Sequence, residues 1–161
     1  MTQLFEYTLA DASGFPVTQI SVYGGKTNGF VCTRIGGKCR YLTPPAWDAF
    51  KIDGTTLNTI RDLIENLDVT DIERRRHRMV MNGYINEFSY TTSLNEKPIK
   101  LYSDNISVCK ERPELYPNTM ALIKLLGKLQ DLLTPLGISE KCFSINGCNP
   151  VHIRPNQRKF F

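Results

Sequence analysis

The chain has 161 residues, of which 41% are hydrophobic and 22% are charged. These values are ordinary for a soluble globular protein, and we expect residues 1–161 to form a single α+β domain. The balance of 20 Lys and Arg against 16 Asp and Glu gives a net charge of +4. That charge is too small for a chain whose main task is to neutralise phosphates.

The start of the chain and its cysteines predict a cytoplasmic protein. The opening stretch MTQLFEYTLADASG carries Glu6 and Asp11 and lacks both the basic segment and the apolar run of a secretory signal. No stretch reaches the roughly 18 apolar residues that cross a bilayer, so we expect no membrane partner. The 5 cysteines are an odd number, which favours reduced and partly buried thiols over a disulfide framework.

Short alternating runs between glycine-rich turns predict an antiparallel sheet in the first part of the chain. The predicted strands cover residues 4–9, 17–23, 30–35 and 39–42. After the prolines that follow, Trp47 and Phe50 stand three positions apart. That spacing predicts one helical turn over residues 46–50.

An amphipathic helix is predicted next, and Asp53 or Thr55 is available as its N-cap. Its apolar face consists of Leu57, Ile60, Leu63, Ile64 and Leu67. A capping box that begins at Thr70 then predicts a short helical turn through Arg78. Two further strands are expected over residues 79–91 and 97–102.

The longest apolar stripe in the chain belongs to Pro117–Leu133. Leu122, Leu126, Leu129 and Leu133 recur at helical spacing, and Pro117 suits a first helical turn. We expect the other elements to cover this helix. Residues 140–161 are predicted to form a small C-terminal hairpin and tail.

The order of predicted elements favours about six antiparallel strands with both helices packed on one face of the sheet. A short pattern of similar residues that begins at Thr56 recurs from Thr119. The chain is therefore interpreted as two strand–strand–helix units, which form a candidate pseudo-repeat of residues 15–67 and 79–133.

No arrangement of residues typical of catalysis, cofactor binding or metal binding stands out. His77 and His152 are the only histidines, and neither belongs to an HxH or HxxxH pattern. Glycine-rich phosphate loops and nucleophile elbows are absent. A composite zinc site would need Cys32, Cys39, Cys142 and Cys148, whose spacings do not fit the tight turns of structural zinc sites. We therefore predict no catalytic residue, no cofactor and no metal.

The candidate binding residues are a basic run and two aromatic side chains. Arginine offers forked donors for carboxylates and phosphates, and aromatic residues beside proline-rich loops are candidate apolar anchors. These residues are Arg74, Arg75, Arg76, Arg78, Trp47 and Tyr116.

The favoured hypothesis is a non-enzymatic cytoplasmic protein that binds another protein. One concrete form is an inhibitor or immunity-type protein that blocks a toxin or an enzyme. The acidic residues that precede the arginine run suit electrostatic steering toward a charged partner. Two alternatives stay open. One is nucleic-acid binding through the arginine run, and the other is a small carboxylate-dependent hydrolase or transferase that uses Glu87 or Asp104.

Overall fold

The computed structural model describes residues 1–11, 16–36, 47–67, 85–93, 99–103, 114 and 117–145. Its strands are β1 (Thr2–Ala10), β2 (Pro16–Gly24), β3 (Gly29–Ile35), β4 (Trp47–Ile52), β5 (Ile85–Tyr90) and β6 (Ile99–Ser103). Its helices are α1 (Gly54–Glu65) and α2 (Pro117–Leu133), and single 3₁₀ turns follow at Thr134–Leu136 and Glu140–Phe143. The predicted α+β class is confirmed.

The strands of these ranges form one antiparallel sheet in the order β4-β3-β2-β1-β5-β6. β1 to β4 follow one another as a meander, and β5 then pairs with the free edge of β1. The β2–β3 hairpin is closed by a hydrogen bond of 2.8 Å from the Gly25 N–H to the Asn28 carbonyl oxygen. Gly29 is required there, because a Cβ atom would collide with the carbonyl oxygen of Tyr23.

The hydrophobic core lies between one face of the sheet and the two helices. Alternate strand residues point into it, because successive side chains of a strand point to opposite faces. The sheet contributes Phe5, Tyr7, Leu9, Ile20, Val22, Val31 and Phe88. The helices contribute Leu57, Ile60 and Ile64 from α1 and Leu122, Leu126, Leu129 and Leu133 from α2. All these side chains belong to one buried cluster.

The N-terminus of α1 is capped by Asp53, one of the two caps that the sequence predicted. The Asp53 carboxylate accepts a hydrogen bond of 2.8 Å from the backbone N–H of Thr56. This bond satisfies one of the N–H groups that have no partner within the first helical turn. The hydrogen bonds from Thr56 hold the pKa of the Asp53 carboxyl below its usual value near 3.8.

The predicted helical turn over residues 46–50 is wrong, because Trp47–Ile52 is strand β4. β4 pairs with β3, so that Trp47 lies opposite Arg34 and Phe50 lies opposite Val31. Phe50 and Ile52, two positions apart, pack toward the core. Trp47 and Phe50 have the spacing of a helical turn, whereas Phe50 and Ile52 have the spacing of a strand, so a run this short fits both. The hydrogen-bonded pairing with β3 selects the strand.

Several predicted elements lie outside the described residues: the strand at 39–42, the turn of the arginine run, and the hairpin partner beyond residue 145. In the ranges that are described, four strands precede α1 and two precede α2. The pseudo-repeat of residues 15–67 and 79–133 stays a prediction.

A polar contact in the core fastens the segment after α2 to the sheet. The Tyr7 side chain is fully buried, and its ring centroid lies 4.8 Å from that of Phe88. The Tyr7 hydroxyl is 2.8 Å from Asn86 Oδ1 and 2.8 Å from the carbonyl oxygen of Ser144. Burial raises the pKa of Tyr7 well above its usual range, so the phenol keeps the single proton that these two acceptors share.

We expect Tyr7→Phe to lower the free energy of unfolding by about 1–3 kcal/mol, because it removes the buried hydroxyl that donates to Asn86 and to the Ser144 carbonyl. Urea denaturation followed by circular dichroism measures this loss. Tyr23→Phe is the matched control, since Tyr23 is half-buried on the other face of the sheet and should tolerate the change. Equal stability of the Tyr7 and Tyr23 variants would contradict the fastening role.

Asp53→Ala should lower the melting temperature at neutral pH, whereas Asp53→Asn should largely preserve it, because asparagine also caps helices. The folded-state pKa of Asp53 is depressed, so the cap contributes fully above the unfolded-state value and loses its contribution as the pH falls through the folded-state value. Melting curves between neutral pH and strong acid should therefore show wild type and Asp53→Ala converging. A constant difference at all pH values would be inconsistent with an ionised cap.

Candidate binding surface

We call the face of the sheet that points away from α1 and α2 the outer sheet face. The strand registers align its residues in rows that cross the sheet. The first row consists of Trp47, Arg34, Gln19, Thr8 and Glu87. The second consists of Ala49, Cys32, Ser21, Glu6 and Ser89. The third consists of Lys51, Phe30, Tyr23 and Gln3.

One half of the outer sheet face, over β2 to β4, is aromatic and basic. Trp47 is 49% exposed, and the Arg34 guanidinium carbon lies 5.5 Å from the centroid of its ring. The two residues stand directly opposite each other in the β3–β4 ladder, so the backbone fixes this contact. A cation–π contact at an exposed site contributes about 0.5–1 kcal/mol. Arg34 therefore restrains the Trp47 ring.

The other half, over β1 and β5, is acidic. The Glu6 carboxylate accepts hydrogen bonds from Gln3 Nε2 at 2.9 Å and from Ser21 Oγ at 2.8 Å. Both donors are neutral, so they orient the carboxylate without cancelling its charge. Glu87 lies on the neighbouring strand, opposite Thr8. Arg34 and Glu87 are three strand spacings apart, about 14 Å, so the two signs of charge are separated across one face.

The structure includes only part of the site predicted from the sequence. Trp47 lies on the outer sheet face and is half-exposed, and its role as an anchor stays a prediction. Arg74, Arg75, Arg76, Arg78 and Tyr116 lie outside the described ranges, and their role stays a prediction. The same holds for Asp104, the carboxylate suggested as the partner of Glu87.

Sequence reasoning missed four residues of the aromatic and basic half: Arg34, which lies opposite Trp47, and Phe30, Tyr23 and Lys51, which form the third row. The signal was present for Phe30 and Arg34, because Val31 and Ile35 share one side of their strand and residues at the alternate positions 30, 32 and 34 must point to the other side. What the sequence lacked was the β3–β4 register, which places Arg34 against Trp47.

The described cysteines are free thiols in different surroundings. Cys32 is half-buried on the outer sheet face, whereas Cys142 is buried in the core. Burial raises the pKa of Cys142 to about 11; Asp48 adds to the rise, and a hydrogen bond from Thr33 opposes it. Within the ranges described, no group of three or more His, Cys, Asp or Glu side chains could hold a metal ion.

Two charged side chains beside the start of β1 are engaged in structural contacts. Arg61 Nη2 donates a hydrogen bond of 2.6 Å to the carbonyl oxygen of Gly25, which ties α1 to the β2–β3 turn. Glu65 accepts from the Ser93 N–H at 2.6 Å, which ties the end of α1 to the residues after β5. We therefore assign no binding role to the small pocket of about 270 Å³ between them.

Comparisons with protein-family models, with curated proteins and with solved structures find no match for this chain. Among the helices described, none combines the length and the apolar character that a membrane crossing requires. The interpretation of the outer sheet face therefore rests on its own chemistry.

Trp47 is the only tryptophan of the chain, so its fluorescence reports on this surface alone. We expect Arg34→Ala to increase the quenching of Trp47 by acrylamide and to shift its emission to the red, because the restraining guanidinium is lost. Lys51→Ala is the control, since Lys51 lies on the same strand but four residues from Trp47, opposite Phe30. Identical quenching constants for wild type and Arg34→Ala would show that Arg34 does not restrain the ring.

Proposed function

We propose that the protein binds another protein through the outer sheet face and acts by occupying that partner rather than by catalysis. The observation that carries the proposal is the half-exposed Trp47, restrained by Arg34, on a sheet face whose third row adds Phe30 and Tyr23. Tryptophan, tyrosine and arginine dominate the binding energy of protein interfaces. An anchor that is already held in place loses less conformational entropy on binding.

The charge pattern favours a protein partner over a polyanion. Glu6 and Glu87 share the outer sheet face with Arg34 and Lys51. A nucleic-acid backbone that crossed the sheet from β4 to β5 would therefore be repelled by the carboxylates over β1 and β5. A folded protein can present both signs of charge in the complementary order, which speeds encounter and rejects wrong partners.

An inhibitor or immunity-type protein of the cytoplasm is the concrete form of this function. Such a protein blocks a toxin or an enzyme by covering it, which requires a surface that keeps its shape. The continuous ladder from β4 to β6 supports the outer sheet face as one rigid layer, because each of its strands is hydrogen-bonded to its neighbours.

Single-stranded nucleic acid is the second candidate partner, because Trp47 lies opposite Arg34 in the first row and Phe30 lies between Tyr23 and Lys51 in the third row. Bases stack on aromatic side chains while cations contact the phosphates. The arginine run at residues 74–78 would extend such a site. This function predicts an affinity that falls steeply with salt.

The test is affinity purification of partners from the native cell extract with the full chain as bait. Wild type should recover a protein in stoichiometric amount, and Trp47→Ala should weaken that complex by at least about tenfold. Leu136→Ala is the matched control: Leu136 is also exposed, at 44%, but follows α2 on the helix side of the sheet.

With the partner purified, its binding should shift the Trp47 emission to the blue. Recovery of no stoichiometric protein, or equal loss with Trp47→Ala and Leu136→Ala, would refute the proposal. Salt-sensitive binding of single-stranded oligonucleotides in place of a protein would favour the second candidate.

A further inference from the structure

On the helix side of the molecule, α1 and α2 leave a groove between them with a volume of about 500 Å³. It extends along α1 from Thr59 to the end of the helix and on to Leu67, about 12 Å in all. This groove lies on the opposite side of the sheet from Trp47, so nothing in the proposed function uses it.

The bottom of the groove is apolar. Leu63 and Leu67 line it from the α1 side and are only partly buried, and Leu125 lines it from α2. Each partly exposed leucine leaves apolar area in contact with water, and covering that area stabilises a complex by roughly 25 cal/mol per Å². A partner with an apolar ridge would therefore gain by filling the groove.

The two walls carry opposite charges. Lys124 and Lys128 stand one helical turn apart on the α2 wall, and both are exposed. Neither forms an ion pair with another described residue. Asp62 stands on the α1 wall, one turn from Asn66. This arrangement of charges is complementary to a helix that has carboxylates one turn apart on one side and a basic side chain on the other.

We infer that the groove between α1 and α2 binds an amphipathic helix of a partner protein. Leucines of that helix cover the partly exposed Leu63 and Leu67. Acidic side chains on one flank meet Lys124 and Lys128, and a basic side chain on the other flank meets Asp62. A helix suits the site better than a small ligand. Small-molecule sites bury most of their ligand, whereas the charged walls of this groove are exposed.

The test uses the full chain and fluorescein-labelled, stapled helical peptides. The probe has leucines along one face, glutamates on one flank and lysines on the other. A matched control peptide has the same composition with the leucines moved off the stripe. Fluorescence polarisation should show binding of the probe, and much weaker binding of the control.

Charge reversal supplies the decisive comparison. The double variant Lys124→Glu/Lys128→Glu should bind the probe at least about tenfold more weakly, because two attractive pairs become repulsive. A peptide with lysines on both flanks should restore binding to that variant. Trp47→Ala should bind the probe like wild type, which separates this site from the outer sheet face. Melting curves verify that the double variant is folded.

Three results would overturn the inference. The first is probe binding that is absent or insensitive to the lysine reversal. The second is saturable binding of decanoate in the groove without binding of the probe, which would identify a site for small amphipathic anions. The third is self-association that the lysine reversal abolishes while the probe does not bind, which would assign the groove to a second copy of the chain.

Discussion

The alternation of side chains along the central strand β1 is the constraint on which the rest of the structure depends. Phe5, Tyr7 and Leu9 point into the core, while Glu6 and Thr8 point to the outer sheet face. A slip of one residue in either ladder of β1 would exchange the two sets and bury the Glu6 carboxylate. The same alternation in β2, β3 and β5 directs apolar side chains to the core and polar and aromatic side chains to the outer sheet face.

The two surfaces assigned to binding differ in construction. The outer sheet face gains its rigidity from backbone ladders, and its aromatic and charged groups are spread over several strands. The groove between α1 and α2 is instead made by side chains of two helices, and its charged walls are single turns of α1 and α2. The sheet separates the two surfaces, so the two proposals concern different sides of the molecule.

Local patterns predicted most of the elements that the structure describes. α2 was predicted with its observed bounds, because a long leucine stripe and Pro117 leave little ambiguity. β4 was mistaken for a helical turn, because its side-chain pattern is too short to distinguish the two. The candidate site was predicted least well. Trp47 stood out as an aromatic residue near prolines, but Arg34 becomes its neighbour only through the β3–β4 register, and the groove exists only through the packing of two helices distant in sequence.

The contacts of Tyr7 have a consequence for how the chain reaches its native state. Its hydroxyl meets Asn86, which is 79 positions away in the chain, and Ser144, which is 137 positions away. Contacts between such distant residues require large loops to close, and proteins that are rich in them fold slowly. During synthesis on the ribosome, β1 emerges early but its edge stays unpaired until β5 has been made. That edge is where a nascent chain of this protein would be most prone to aggregate and most in need of a chaperone.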